Sequence, residues 1–405
     1  MPKQNSENLK NIIAKLPKCD LHVHLDGSVR VETLIDLSKK YGLSLPSYSA
    51  EGLNELVFKD EYKSLDEYLA GFKYILPILQ IPESLERVSY EFAWDNINEG
   101  VFYVEVKFAP QLHINEKQNM ERILLSVNKG LNRAKTEYNQ KPEVRTGLKP
   151  EFNYGIITCI VRAFSKGQSK YFDEFIDKYK TKSHNEIYAL AAYELIKDCV
   201  KVRDEYDIPI VACDLVGSEA GNPPKYFKKA YHLAHSNLMH LIVHAGEAYG
   251  PESIHQAIAE LYPERIGHGT SLFSVDQITD PAIKDKEQFS RKLIQYIAER
   301  RITIEVCLTS NFQTLPIIKK IKDHPLVKML AADLSLAICT DNRTFSKTNV
   351  TRELMLAVES FSLTKIHLKK LILDSFVHSF MPIEYLAKKK YIAKIEDICD
   401  QIMSE

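Results

Sequence analysis

Short apolar runs rich in β-branched residues recur along the chain, and each ends in a polar residue. They predict strands at 19–25, 102–109, 154–161, 209–216, 240–244, 265–267, 303–308 and 336–339. Between most of them, apolar residues fall at helical spacing, in 88–98, 120–138, 186–206, 224–234, 253–261 and 289–299. Strands that alternate with helices imply parallel pairing through crossover connections. About eight such repeats predict a closed (β/α)₈ barrel rather than an open sheet. At 405 residues the chain is long for one barrel, but a barrel with insertions reaches this size, and one domain over 1–405 is expected.

Two regions exceed a minimal barrel. Residues 31–85, directly after the first strand, are helical in pattern and carry Phe58, Tyr62, Tyr68, Phe72 and Tyr74. Loops that follow strands form the mouth of such barrels, so this helical insertion either roofs a pocket or buttresses the barrel's side. Residues 141–151 and 164–184 are rich in lysine and serine and read as exposed excursions.

The strand ends carry the chemistry. His22 and His24 are two apart on a strand, so their side chains point to one face, and Leu21, Val23 and Leu25 point to the other. His244 ends the run Leu241-Ile242-Val243, and Asp341 follows Leu336-Ala337-Ile338-Cys339-Thr340, which places both at the same mouth. Each alone has an ordinary structural reading, as a hydrogen-bonded core histidine or a turn-capping aspartate. Together they are four ligand-type residues on three strand ends. Three nitrogens and one oxygen suit Zn²⁺ and leave a position for water, whose pKa zinc lowers toward ~7.

Glu247 follows His244 across Ala245-Gly246, small residues that let the backbone turn and bring its carboxyl over a substrate. Burial beside apolar walls raises such a pKa and makes the group a proton donor. His268, between Gly267 and Gly269, reaches the same mouth. It is read as a base or an orienting group for the attacking water, against a fifth ligand or a structural histidine. His232, His235, His240, His255, His324, His367 and His378 are read as surface or packing residues.

Composition removes other classes. The balance of 53 basic and 54 acidic residues gives a net charge of -1, which argues against nucleic acid or a membrane surface as partner. A small polar molecule fits better. The seven cysteines form no C-x-x-C pair, and with a polar, leaderless start they suggest reduced thiols in a cytoplasmic protein. No apolar run approaches the ~18 residues of a membrane helix. A monomer or a small homo-oligomer is compatible with this composition.

Several motifs match a known family. The segment Pro17-Lys18-Cys19-Asp20-Leu21-His22-Val23-His24-Leu25-Asp26-Gly27-Ser28 resembles the opening motif of the adenosine deaminase-like amidohydrolases. Asp214-Leu215-Val216-Gly217-Ser218-Glu219, His244-Ala245-Gly246-Glu247, Arg265-Ile266-Gly267-His268-Gly269 and Ser310-Asn311 are similar to its later motifs, in the expected order. The resemblance implies a zinc-bearing barrel that replaces a purine 6-amino group by oxygen. His22, His24, His244 and Asp341 then correspond to the zinc ligands, Glu247 to the donor of a proton to purine N1, and His268 to the group facing the attacking oxygen. Gly217 corresponds to the backbone donor near N3, and Asp26 to the acceptor of the ribose 5′-hydroxyl.

One position departs from the commoner pattern. Asn342 stands where many members carry a second Asp facing purine N7. An amide donates at any pH, whereas a carboxyl donates only when protonated. The expected reaction is hydrolytic deamination of adenosine and 2′-deoxyadenosine in purine salvage. Adenine, aminofutalosine or N6-methyl-AMP are alternative substrates of the same site. An ester or lactone hydrolase, or an inactive nucleoside binder, are readings from other classes. The P-C-x-x-C signature of cytidine-type deaminases is absent.

Overall fold

Eight parallel strands pair in chain order in the computed structural model, which describes residues 3–404. They are β1 (Lys18–His24), β2 (Val101–Phe108), β3 (Asn153–Val161), β4 (Ile210–Val216), β5 (His240–Ala245), β6 (Arg265–His268), β7 (Thr303–Val306) and β8 (Leu336–Ile338). The ring is closed by a parallel bridge between Val23 and Asp341, just beyond β8. Helices lie between the strands, as a (β/α)₈ barrel requires.

Each strand was legible because helices cover its outer face, so its sequence reads as a short apolar run. The main discrepancy is at β7, where the expected strand overruns. Cys307 caps a helix, Leu308–Thr314, that carries Ser310 and Asn311 across the mouth. Most crossover helices are longer than their apolar cores suggested, whereas the one expected at 224–234 is shorter, Lys228–Ser236. Pro82–Glu99 begins with proline and stops at Gly100, whose φ of 82° supplies the left-handed cap. It packs tightly on Met120–Asn139, where a Cβ on Gly130 would lie 2.2 Å from the Glu86 carbonyl. The further helices are Lys3–Lys15, Val350–Phe361, Lys365–Val377 and Tyr385–Ser404, of which Lys365–Val377 packs on β8 and β1.

Residues 164–184 are more than an exposed excursion. They contain the helix Lys170–Lys178, and Phe164, Tyr171 and Phe172 are buried against Ile187 and Ala191. Phe164 and Phe172 stack with ring centroids 4.0 Å apart. Lysines on the outer face masked the apolar face in a reading of composition.

The insertion after β1 contains the helices Val31–Tyr41, Ala50–Leu56, Leu65–Leu69 and Phe72–Ile75. Its aromatics gather around Phe345, in the loop after β8. Phe72 stacks on that ring at 4.5 Å, Phe58 meets it edge-on at 5.1 Å, and Gly71 leaves room for it. Tyr68 Oη lies 3.1 Å from Ser346 Oγ, and Gln313 donates to the Asp60 carbonyl at 3.1 Å. These contacts tie the insertion to the loops at the C-terminal ends of β7 and β8. No helix among the described residues is long and apolar enough to cross a membrane.

Phe172→Ala is expected to destabilise the protein by about 3 kcal/mol, the usual scale for truncating a buried phenylalanine. Urea denaturation measures this, and a loss below about 1 kcal/mol would mean that 164–184 does not fold with the barrel.

Candidate active site

The hydrogen bonds that close the barrel also build the site. The His24 amide donates to the Asp341 carbonyl at 2.7 Å, and the Asp341 amide donates to the His22 carbonyl at 2.8 Å. The side chains of His22, His24 and Asp341 thereby share the inner face at the mouth. Asp341 has a φ of 61° and His268 one of 67°, both in the left-handed region that residues other than glycine rarely occupy. Strain of this kind persists where surrounding structure over-determines it, and it concentrates at functional sites.

Ring nitrogens of His22, His24 and His244 lie within 4.8 Å of one another. Asp341 Oδ1 is 3.5 Å from His22 Nε2 and 3.4 Å from His24 Nε2. Gly267 makes this crowding possible, because a Cβ there would lie 3.1 Å from His244 Nδ1 and 3.3 Å from His22 Cε1. His22 Nε2 is buried without a hydrogen-bond partner. Burial pushes His24 down to about 3 and lowers His244, so both rings are the neutral form a metal binds. Burial and the charge of Lys107 press His22 down, but the adjacent Asp341 and Glu305 carboxylates lift it to about 9, so its surroundings draw positive charge. Three imidazole nitrogens, one of them an orphaned buried nitrogen, and a carboxylate fit a divalent zinc ion.

Below these groups lies a charged layer that sequence reasoning missed. Lys107 Nζ donates to Asp214 Oδ2 at 2.6 Å and to Glu305 Oε2 at 2.7 Å. Asp214 Oδ1 lies 3.0 Å from His244 Nδ1, and Glu305 Oε2 lies 2.8 Å from His22 Nδ1. Glu305 Oε1 accepts from Arg265 Nε at 2.7 Å, and Arg265 also bonds Glu105. One buried lysine thus holds the two carboxylates that orient two of the three histidines. The available signal was parity: Glu105 and Lys107 alternate with Val104, Val106 and Phe108 in an otherwise apolar strand.

The turn carrying Glu247 is held from outside. Glu219, after β4, accepts from the Gly246 amide at 2.7 Å and the Ala248 amide at 2.9 Å, and it also bonds Ser253. Buried Arg162 donates to the His244 carbonyl. Gly246 has a φ of 71°, and a Cβ there would also meet Ile254 at 2.5 Å, so both backbone and space require glycine. Burial first, then the charges of Asp341 and Glu219, push Glu247 up to about 8. Its Oε2 is 3.8 Å from His268 Nε2. Ser310 donates to Asp341 Oδ2 at 2.6 Å, and Asn311 Nδ2 lies 3.1 Å from His268 Nδ1.

Of the remaining expected residues, Asp26 and Asn342 border this cluster. Asp26 is buried in the turn after β1, accepts from the Gly27 amide at 3.1 Å, and is raised by burial to about 6. Asn342 Nδ2 donates to Asp341 Oδ1 at 2.8 Å, while its Oδ1 has no partner and packs against Gly27. Gly217 follows β4 with a φ of 95° and an exposed backbone. The space around it would admit a Cβ, so the backbone conformation is what requires glycine there.

The family model for adenosine deaminase matches residues 17–398. The chain belongs to the adenosine deaminase family. It is a hydrolase of C–N bonds in cyclic amidines. It is 33% identical over 351 residues to the adenosine deaminase of Vibrio atlanticus, covering 86% of this chain and 89% of that one. Among solved structures it is similar to a zinc-bound amidohydrolase from Burkholderia ambifaria, with a TM-score of 0.75, 18% identity, and coverage of 98% of this chain and 95% of the other. It is also similar to the N6-mAMP deaminase of Arabidopsis, with a TM-score of 0.72, 24% identity, and coverage of 95% and 99%. These two likenesses show the shared fold.

In this adenosine deaminase family member a cavity of about 760 Å³ lies beside Glu247, which borders it with Ser64, Ser218, Thr270 and Thr314. Ser64 belongs to the insertion, which therefore contributes to the wall beside Glu247. A cavity at the opposite end of the barrel, lined by His240, Arg300 and Phe380, lies at the N-terminal ends of the strands, away from this cluster.

Asp214→Asn leaves one acceptor oxygen for two donors, Lys107 Nζ and His244 Nδ1–H, and so loosens the hold on His244. Zinc affinity is expected to fall by about 10–100-fold, the usual effect of losing a carboxylate behind a ligating histidine. Chelator competition on the metal-free protein reads this, and unchanged affinity would show that His244 is oriented by something else.

Proposed function

We propose that the chain hydrolyses adenosine and 2′-deoxyadenosine to inosine and 2′-deoxyinosine, releasing ammonia. One zinc ion would be held by His22, His24, His244 and Asp341. The observation that carries this reading is Glu247, a carboxyl raised to about 8 beside a pocket of three imidazoles and a carboxylate. Purine C6 is a poor electrophile until N1 is protonated, and a carboxyl still protonated at neutral pH can donate there. The bound zinc supplies a Lewis acid and lowers the pKa of its water.

The other residues bind and orient. His268 faces the attacking oxygen from the side opposite Asn311. Asn342 Nδ2 carries two hydrogens, so it can serve Asp341 and still offer one to N7. The Gly217 amide serves N3, and Asp26 accepts the ribose 5′-hydroxyl. Neither an ester hydrolase nor a passive binder would need a carboxyl kept protonated at neutral pH above the metal pocket.

Charge favours a nucleoside over a nucleotide. Among the described residues, those lining the cavity beside Glu247 include no lysine or arginine, and buried Asp26 would repel a 5′-phosphate. The seven buried free cysteines support a reducing, cytoplasmic setting for purine salvage.

A panel of adenosine, 2′-deoxyadenosine, adenine, N6-methyl-AMP and aminofutalosine, read by ammonia release, tests the substrate. The two nucleosides are expected to turn over fastest. Rapid turnover of another member with none of adenosine would overturn the proposal.

Glu247→Gln is expected to lower kcat by about 10²–10⁴. Glu247 must hold its proton to act, and its pKa is raised, so activity should persist at neutral pH and fall as pH rises through about 8. A pH–rate profile with no such alkaline limb, or near-normal turnover by the variant, would remove Glu247 from this role.

A further inference from the structure

A directional hydrogen-bond chain reaches His268 from outside the site, and it begins at a helix start. Leu326 is the first residue of the helix Leu326–Ala331, so its N–H has no partner within the helix. Pro325 before it has no N–H at all. The Leu326 amide donates to His324 Nδ1 at 3.2 Å. A backbone N–H can only donate, so His324 Nδ1 must offer its lone pair, and a neutral ring then carries its proton on Nε2. The ring is neutral because burial pushes His324 down to about 3.

His324 Nε2 lies 3.3 Å from Asn311 Oδ1, so its N–H meets an acceptor there. This fixes which way the Asn311 amide points. The reversed amide would set two N–H groups face to face in a buried place. Asn311 Nδ2 therefore faces His268 Nδ1, 3.1 Å away, and donates to it. A ring nitrogen that accepts a hydrogen bond must hold a lone pair, so His268 is not the doubly protonated cation. Its Nδ1 accepts, so its proton sits on Nε2, the atom 3.8 Å from Glu247 Oε2. Asn311, His324 and His268 are all buried, so water does not compete for these bonds.

We infer that Asn311 and His324 are positioning residues that lock His268 in the tautomer bearing its proton on Nε2, so that His268 meets the attacking oxygen as a hydrogen-bond donor and not as a base. The donor role toward that oxygen rests on the proposed deamination, while the tautomer itself does not. Of the two readings open from sequence, orientation of the water or removal of its proton, the chain of donors selects orientation. Direction is set about two side chains away, by a peptide N–H that cannot reverse. Asp at 311 would do the opposite. Its carboxylate only accepts, so it would demand Nδ1–H from His268 and turn the Nε2 lone pair toward the site.

The test is the ring-nitrogen NMR spectrum of the full-length metal-free protein labelled with ¹⁵N-histidine, with His268 assigned by comparison with His268→Gln. The expected wild-type spectrum has a protonated Nε2 and a bare Nδ1 at His268. Asn311→Asp is expected to exchange the two, and His324→Phe to leave a mixture, because the Asn311 amide is then free to turn. In the zinc-loaded enzyme Asn311→Asp should lower kcat by roughly 10–100-fold with KM little changed, the scale of a lost orienting group. A wild-type His268 protonated on Nδ1, or an Asn311→Asp protein that keeps the wild-type tautomer, would overturn the inference. The wild-type spectrum decides even where a variant does not fold. No substrate enters that measurement, so a failed substrate panel and a failed tautomer assignment remain distinguishable.

Discussion

The pairing of Val23 with Asp341 is the constraint on which the rest depends. Barrel closure joins the first strand to the chain just beyond the last, and two backbone hydrogen bonds at that seam run between Asp341 and the residues on either side of Val23. Fold and site therefore share the same bonds. Distant parts of the sequence become neighbours only if the ring closes, and once it closes His22, His24 and Asp341 have no other place to go. Asp341 adopts a left-handed backbone there, at a cost of about 1–3 kcal/mol for a residue with a side chain. That cost is borne by the continuous ladder on both sides of the seam.

Inside the ring, charge replaces the aliphatic layers that commonly fill such barrels. Glu105, Lys107, Asp214, Arg265 and Glu305 are all buried. Pairs of this kind are poor sources of stability, because desolvation consumes most of the Coulombic gain. Their geometry shows what they provide. Lys107 touches one oxygen on each of two carboxylates, and those carboxylates reach the Nδ1 atoms of His22 and His244. Each ring then has its Nδ1 engaged from below and its Nε2 free to face the mouth. A purely apolar interior would pack better but would leave the imidazoles free to rotate.

Strand order, barrel closure and the clustered histidines were legible because they follow from local pattern. Period-two alternation assigns His22 and His24 to one face, and a covered strand reads as a short apolar run. The charged layer was not legible, since its members sit on four different strands and their partners are defined only by closure. The apolar face of Lys170–Lys178 was hidden among flanking lysines, where composition averages over a face that geometry separates. Ser310 and Asn311 stood out as a motif without a role, because their partners, Asp341 and His268, come from other strands. Asn342 was read as a donor to a purine. The structure shows that one of its hydrogens already serves Asp341, a competition that sequence alone does not reveal.

A common physical rule links the acid, the metal pocket and His268. Side chains such as imidazole, amide and carboxyl can reverse or redistribute their hydrogen bonds, whereas a peptide N–H always donates and an alkylammonium always donates. Several flexible groups in the site are tied, within one or two links, to a group that cannot reverse. Glu219 takes the amides of Gly246 and Ala248 and so fixes the turn around Glu247. Asp214 and Glu305 take the ammonium of Lys107 and so present their other contacts to histidine. His324 takes the amide of Leu326 and passes that direction through Asn311. Most of these links are buried, so bulk water offers them no alternative partner and reversing one of them would strand a polar group. Orientation in this site is thus inherited from backbone and lysine, which explains why its supporting residues reach well beyond those that could touch a substrate.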